Sequence, residues 1–540
     1  MPAWLPCLPL VMALAARLGS PDAAAPAVPA VEYRPLEQIL QEVVSDPALE
    51  GALVGARVDS LTTGRTVFAH QADQLINPAS VSKMFTTAAA LCLLHPDYRW
   101  RTTLYSHDKP EKGALKGPLY VKGGADPYLV DERLHLLAVE LKAMGLKTIE
   151  GPIILDDSYL DDEGAGPGWS QDASSKPYQA PMSALSLDFN SVSVLVFPAE
   201  AAGQEARLEL LPASDHFKLT NKVKTVERGR TWVRLDVAPL GNQTRVLARG
   251  QVRLDEPGHR AFVRVTSPAY YTGRSLRAEL EAVGIKLTRK GVLRGQVPRY
   301  ADRLYTLASL SLGELVRLVN KRSQNFMAEQ MWKTLGAELL GEPGSWAKGQ
   351  QVMNAFLEEE VGIPAGTYVL HNGSGLNDVN RVSASHVVLL LRAMWRRLDV
   401  LPEFLASLSL GGADGTAVGR FREPEVARTL RVKTGSLNGV RALAGYVHGR
   451  GGEVFAFSVL VARYGCESYA VLQLVDRFAS ALSLANADRQ VVREIEVLPV
   501  SEPPEEPQVA PDGPFEGLED GSTPMGEPRP AVDEPGNPAP

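Results

Sequence analysis

Apolar residues recur at helical spacing early in the chain, where Leu36, Ile39, Leu40, Val43 and Val44 share one face of a helix predicted over 31–48. The period then changes to two. Val54, Ala56 and Val58 alternate, and Thr66-Val67-Phe68 follows a turn at 60–64, which predicts two strands over 53–68. Pro78 biases Asn77 toward extended geometry, so the next helix is entered from a strand or loop. Beyond Ser80 come largely apolar helix formers, until Pro96 stops them. From about 98 to 300 short alternating runs dominate, at 102–105, 118–121, 153–155, 192–197, 208–211, 232–237 and 262–265. Helical stretches at 131–144 and 275–283 interrupt them.

Helical periodicity returns at 311–318 and continues through 325–340, 350–361 and 385–398. Strands follow at 429–432, then at 442–447 and 454–461 around a glycine-rich hairpin turn at 449–452, and a helix over 467–484 closes the run. This order predicts an α/β (α+β) fold in which helices pack on a sheet, interrupted by one or two inserted β-rich modules. No fixed-period repeat underlies the insertion.

Three short motifs within that layout carry chemistry. Ser80 and Lys83 lie one turn apart on the same helix face, near its N-terminus. A lysine desolvated enough to be neutral can take the serine proton, and the helix N-terminus favours the negative charge that develops nearby. Spacing alone does not select this pair. Ser106-x-x-Lys109 is polar and reads as loop, Ser345-x-x-Lys348 reads as a helix N-cap, and Ser80 could itself be a cap. The second motif, Ser323-Gln324-Asn325, falls in the helical region; its plain reading is a cap before Phe326 and Met327, and Ser436-Leu437-Asn438 shares its pattern. Lys433-Thr434-Gly435 is the one Lys-Thr-Gly in the chain. It ends a strand, and its glycine lets a ligand approach the backbone.

Composition changes the picture at the two ends. The chain has 540 residues and is 45% hydrophobic, enough for several globular cores. Residues 5–18 are an apolar stretch broken by prolines and followed by small residues at 23–30, which predicts a signal peptide over 1–30 and no transmembrane anchor. Cys7 lacks the small residues expected before a lipidated cysteine. Cys92 and Cys466 are read as buried thiols from their apolar context. The net charge of −7 is unevenly placed: residues 501–540 hold ten acidic residues against Arg529, with eleven prolines, and carry −9, leaving +2 for the rest. Such a composition cannot bury enough apolar surface to fold, so 496–540 is expected to be a disordered acidic tail, with Val491, Val492 and Ile495 able to add one strand before it. The near-neutral remainder shows no basic stripe, and no nucleic-acid partner is expected. The nine histidines form no ligand pattern, so neither a metal nor a cofactor is expected.

Taken in order, the three motifs resemble those of one family: the D-alanyl-D-alanine carboxypeptidases/endopeptidases of the class C low-molecular-mass penicillin-binding proteins. The resemblance spans 32–485 and extends to Asn77-Pro78-Ala79-Ser80, Gly123-Gly124-Ala125-Asp126-Pro127, the stretch 178–186, Gly373-Ser374-Gly375-Leu376 and Asp414-Gly415-Thr416. Asn372 stands where the family usually has aspartate, and Gln324 where aspartate is common. The resemblance implies a serine β-lactamase/penicillin-binding transpeptidase-like domain, here discontinuous over 31–97 and 302–490, with the inserted β-rich segment at 98–301.

It also implies roles. Ser80 is the nucleophile that forms an acyl-enzyme, Lys83 the base, Ser323 a proton relay, and Asn325 holds the substrate amide and the Lys83 amine. Lys433 keeps the field positive, while Thr434, Gly435 and Ser436 line the carboxylate site. The N–H groups of Ser80 and Ser436 form the oxyanion hole, worth about 3–4 kcal/mol per donor in acyl transfer. The implied ligands are peptidoglycan peptides and β-lactams, in a secreted or periplasmic location; a membrane or protein partner for the tail stays open. Two rivals are a β-lactamase-like hydrolase and a catalytically silent cell-wall-binding protein.

Overall fold

The computed structural model describes residues 33–169 and 175–492. The expected signal peptide, the acidic tail and Ile495 lie outside the described residues. The central sheet has six strands in the order Ser409–Leu410, Leu430–Leu437, Val440–His448, Val454–Ala462, Leu53–Ser60, Thr66–His70. Every pairing is antiparallel, and Leu53–Ser60 joins Val454–Ala462 with Gly55 opposite Leu460. Beside it, Tyr33–Pro35 pairs with Gln490–Val492, the strand expected at Val491 and Val492.

Alternation along the strands serves two cores. Leu443 and Val447 face the helices Leu36–Val44 and Ser468–Leu484, whose Leu40 and Phe478 are fully buried. Ala442, Ala444 and Tyr446 face the opposite way, toward Phe85, Trp332 and Leu391. A sheet covered on both faces explains why these strands read as nearly continuous apolar runs. The helix Ser82–Leu94 crosses the second core and is buried from Ser82 to Cys92, which matches its apolar sequence on every side.

Some boundaries differ from expectation. The first helix is Leu36–Val44 rather than 31–48, because Pro35 enters it from an extended conformation (φ −57°, ψ 132°) and Arg34 before it is held in a strand. The helix expected at 275–283 starts at Pro268, since proline suits the first turn and does not break it there. The helix expected at 350–361 starts at Trp346, capped by Ser345 Oγ, which accepts from Lys348 N at 3.1 Å. Cys92 and Cys466 are both free; Cys92 is buried, its thiol pushed up to about 11 by burial, whereas Cys466 is only half-buried in the turn before Ser468–Leu484.

The segment between about 100 and 308 builds a five-stranded sheet, Val292–Arg294, Ile153–Asp156, Leu119–Lys122, Arg101–Ser106, Asp302–Ala308, and smaller three-stranded sheets. Helices Asp131–Ala143 and Pro268–Ala282 pack on it. One apolar core belongs wholly to residues between Leu104 and Leu307. Trp100, Tyr159, Trp169 and Phe189 lean instead on the helical core beside Ser82–Leu94. No described helix is long and apolar enough to cross a membrane.

Candidate active site

Ser80 sits in a short 3-10 turn, Ala79–Val81, that leads directly into Ser82–Leu94. Asn77 ties the entry down: its Oδ1 accepts from Ala79 N at 2.8 Å. Ala79 has φ +47°, a left-handed conformation that costs a side-chain-bearing residue about 1–3 kcal/mol and recurs at functional sites. One turn on, Lys83 is fully buried. Its Nζ donates to Ser80 Oγ at 3.0 Å, Asn325 Oδ1 at 2.6 Å and the Ser374 carbonyl at 2.8 Å. Ser80 itself is half-buried, so the hydroxyl remains reachable while its lysine is not.

The second motif arrives from between two helices, Leu312–Lys321 and Asn325–Leu340. Gln324, not Ser323, caps the second helix, which leaves the Ser323 hydroxyl for the site. Ser323 also holds a left-handed φ of +56°. Lys433, on the strand Leu430–Leu437, donates from Nζ to Ser323 Oγ at 2.9 Å and to the Thr434 carbonyl at 2.9 Å. It is fully buried, and burial, reinforced by the nearby Lys83 cation, pulls its ammonium well below the ordinary lysine range.

Close backbone approach brings the first and third motifs together. A Cβ on Gly435 would lie 2.6 Å from the Pro78 carbonyl and 3.0 Å from Ala442 Cβ, so only glycine lets this strand lie against the serine turn. On the other side Gly375, with φ +75°, has room for no Cβ, which would fall 1.9 Å from the Ala79 carbonyl.

That second wall, Gly373-Ser374-Gly375, is held from below. Glu329, buried inside Asn325–Leu340, accepts from Gly373 N at 3.1 Å, Ser374 N at 2.9 Å and Trp346 Nε1 at 2.8 Å. Thr86 Oγ1 donates to the Gly373 carbonyl at 2.7 Å. Asn372 accepts from Gly375 N at 2.9 Å through Oδ1 and donates to the Leu376 carbonyl at 3.0 Å through Nδ2. An aspartate could make the first bond but not the second.

At the open rim Thr434 is half-buried and Ser436 exposed. Thr434 Oγ1 donates to Thr416 Oγ1 at 2.8 Å. The competing Ser-x-x-Lys serines lie elsewhere: Ser106 Oγ donates to the Asp108 carbonyl, and Ser345 is the helix cap.

A profile of the D-Ala-D-Ala carboxypeptidase 3 (S13) family matches residues 36–480. The chain belongs to this family. The D-alanyl-D-alanine carboxypeptidase of Actinomadura sp. (strain R39) is 32% identical over 475 residues, which cover 84% of this chain and 85% of that protein. The crystal structure of penicillin binding protein 4 (dacB) from Haemophilus influenzae superposes with a TM-score of 0.72 at 24% identity, over 81% of this chain and 97% of that one. A second structure of that protein, complexed with a β-lactam, gives a TM-score of 0.68 at 24% identity over the same shares of the two chains. The S13 fold is thus the expected α/β one, and the enzyme class that of a serine hydrolase.

One part of this candidate site escaped sequence reasoning. Glu329 is a lone acid in the apolar run Phe326-Met327-Ala328-Glu329, and a charge on a helix without a polar face is the signal that marks it. Thr416 was legible through the resemblance at Asp414-Gly415-Thr416, but its hydrogen bond with Thr434 was not.

Proposed function

We propose that the chain is a serine D-alanyl-D-alanine carboxypeptidase/endopeptidase acting on peptidoglycan stem peptides, acylated at Ser80 and by β-lactams at the same atom. The observation that carries this reading is the Lys83 amine, buried and within 3.0 Å of Ser80 Oγ. In its neutral form Lys83 accepts the Ser80 proton as Oγ attacks the carbonyl carbon of the D-alanyl peptide bond. Asn325 and the Ser374 carbonyl keep the amine aimed while it gains charge. Ser323, hydrogen-bonded to Lys433, relays a proton to the departing amine. Thr434 and Ser436 receive the terminal carboxylate, and the N–H groups of Ser80 and Ser436 stabilise the oxyanion. Water then releases the acyl group.

We also read residues 98–301 as an insertion in a discontinuous catalytic domain, supported by the segment's own apolar core. The leader at 1–30 supports a secreted or periplasmic location. A fluorescent penicillin tests the core reading: wild type, Ser106→Ala and Ser345→Ala label covalently, and Ser80→Ala does not. A labelled Ser80→Ala chain sinks the assignment.

A further inference from the structure

The three-stranded sheet of Phe217–Val226, Gln243–Arg253 and Trp232–Leu240 buries only one face. Phe217, Val223, Val246, Ala248 and Val252 enter the core of the inserted segment, and the period of two sends the alternate residues to solvent. Seven of those sixteen residues are cations. Lys218, Lys222 and Lys224 stand on the first strand, Arg245, Arg249 and Arg253 on the central one and Arg234 on the third, all exposed. Register sets them side by side: Lys218 is opposite Arg245, and Arg249 lies between Lys222 and Arg234. Strands are about 4.8 Å apart and same-face residues about 7 Å apart along a strand, so these like charges repel unless anions lie among them.

The described carboxylates meet only part of that need. Asp236, the one acid among these alternate residues, pairs with Arg234 and Arg249. At the margins Glu205 pairs with Lys224 and Asp255 with Arg253. Lys218, Lys222 and Arg245 form no ion pair among the described residues. Trp232, 50% exposed, lies opposite Gln251 at one end of the same face. The chain does therefore carry a basic surface, contrary to the expectation of none; the cations are interleaved with apolar residues on separate strands, and only the register gathers them.

We propose that this face docks the chain's own acidic segment, residues 501–540. That segment supplies ten carboxylates and a net −9, against a face with a surplus of cations. Its eleven prolines favour extended chain, and proline rings stack on an exposed indole such as Trp232. Reach is sufficient: the 48 residues beyond Val492 span up to about 160 Å, against a folded body roughly 60 Å across. Tethering raises the local concentration toward the millimolar range, so even a weak contact is populated.

Carbodiimide cross-linking of the full chain tests this without any added ligand. At low salt, zero-length links in the monomer join Lys218, Lys222 and Lys224 to carboxylates between Glu502 and Glu534. They outnumber links from those carboxylates to exposed Lys112 and Lys286 by about tenfold, and about 0.5 M salt removes most of them. In the Lys222→Glu/Arg245→Glu chain the remaining links to Lys218 and Lys224 fall at least about fivefold, with β-lactam labelling unchanged. Links spread over all exposed lysines, links found only between two chains, or a doubly substituted chain that cross-links like wild type would each overturn the proposal. So would equal binding of added polyglutamate by the full chain and by one ending at Val500, because the face would then be open.

Discussion

Glu329→Gln changes one atom and separates the support of the site from its chemistry. The carboxylate takes three N–H donors, from Gly373, Ser374 and Trp346. A glutamine in the same rotamer keeps its carbonyl oxygen where Oε2 stands, still accepting from Gly373 and Trp346, and turns its amide toward Ser374 N, donor against donor. Each retained bond falls from a charged to a neutral one, a loss of about 1 kcal/mol, and the orphaned buried N–H costs about 1–3 kcal/mol. The expected destabilisation is therefore about 3–5 kcal/mol. A displaced Ser374 also withdraws its carbonyl from Lys83 Nζ, now at 2.8 Å. Losing one charged hydrogen bond of about 1.5–3 kcal/mol slows acylation roughly ten- to a hundred-fold. Stability is read by denaturant melts, and acylation by stopped-flow with a reporter β-lactam at a temperature where the variant stays folded. An acylation rate within about twofold of wild type in a clearly destabilised variant would show that this wall does not aim Lys83.

Lys433→Ala is expected to lower acylation by peptide and penicillin about ten- to a hundred-fold, and amidating the substrate's terminal carboxylate should cost wild type far more than the variant; equal costs would show that Lys433 has no part in reading the carboxylate. Asp188, buried beside Asp131 N and the Tyr271 hydroxyl, has its carboxyl pushed up to about 7 by burial. Its contribution is fully present below the unfolded value near 4 and is lost as pH rises through 7, so Asp188→Asn should stabilise more at pH 8 than at pH 5, by roughly 1–3 kcal/mol; a pH-independent shift refutes this. A chain ending at Asn486 loses the Gln490–Val492 strand, buried Val491 and the Arg489–Glu453 pair, and should melt clearly lower, whereas one ending at Val500 should melt like wild type.

What could be read in advance follows from the range of the forces involved. The strands around Gly449–Gly452 and the helix after Ser80 declare themselves because local period and turn chemistry agree with the final packing. Ser80, Lys83, Ser323, Asn325 and Lys433 stood out as motifs in order, although spacing alone did not rank Ser80 above Ser345, itself a cap with the same spacing. Distance in the chain hid the rest. Glu329 matters through Gly373 and Ser374, more than forty residues away, and the partner of Thr434 sits on the loop carrying Thr416. Cys466 looked buried from its neighbours, yet the turn that holds it leaves it half-open. Cations spaced two apart along separate strands became a surface only when register aligned them.

The central sheet draws its strands from both ends of the chain, and this sets an order of events in time. A chain made from the N-terminus holds Ser80 and Lys83 long before Lys433 exists. The intervening stretch of roughly 350 residues takes about 20–70 s to synthesise at ordinary rates. The core between Leu104 and Leu307 is complete by then and can settle first, while Leu53–Ser60 waits for Val454–Ala462 to pair with it. Through that interval Ser80 has Lys83 one turn away but no Lys433 strand beside it. The arrangement acts as a timer: an interrupted chain lacks Lys433 and its strand, so the three motifs come together only with the last strands.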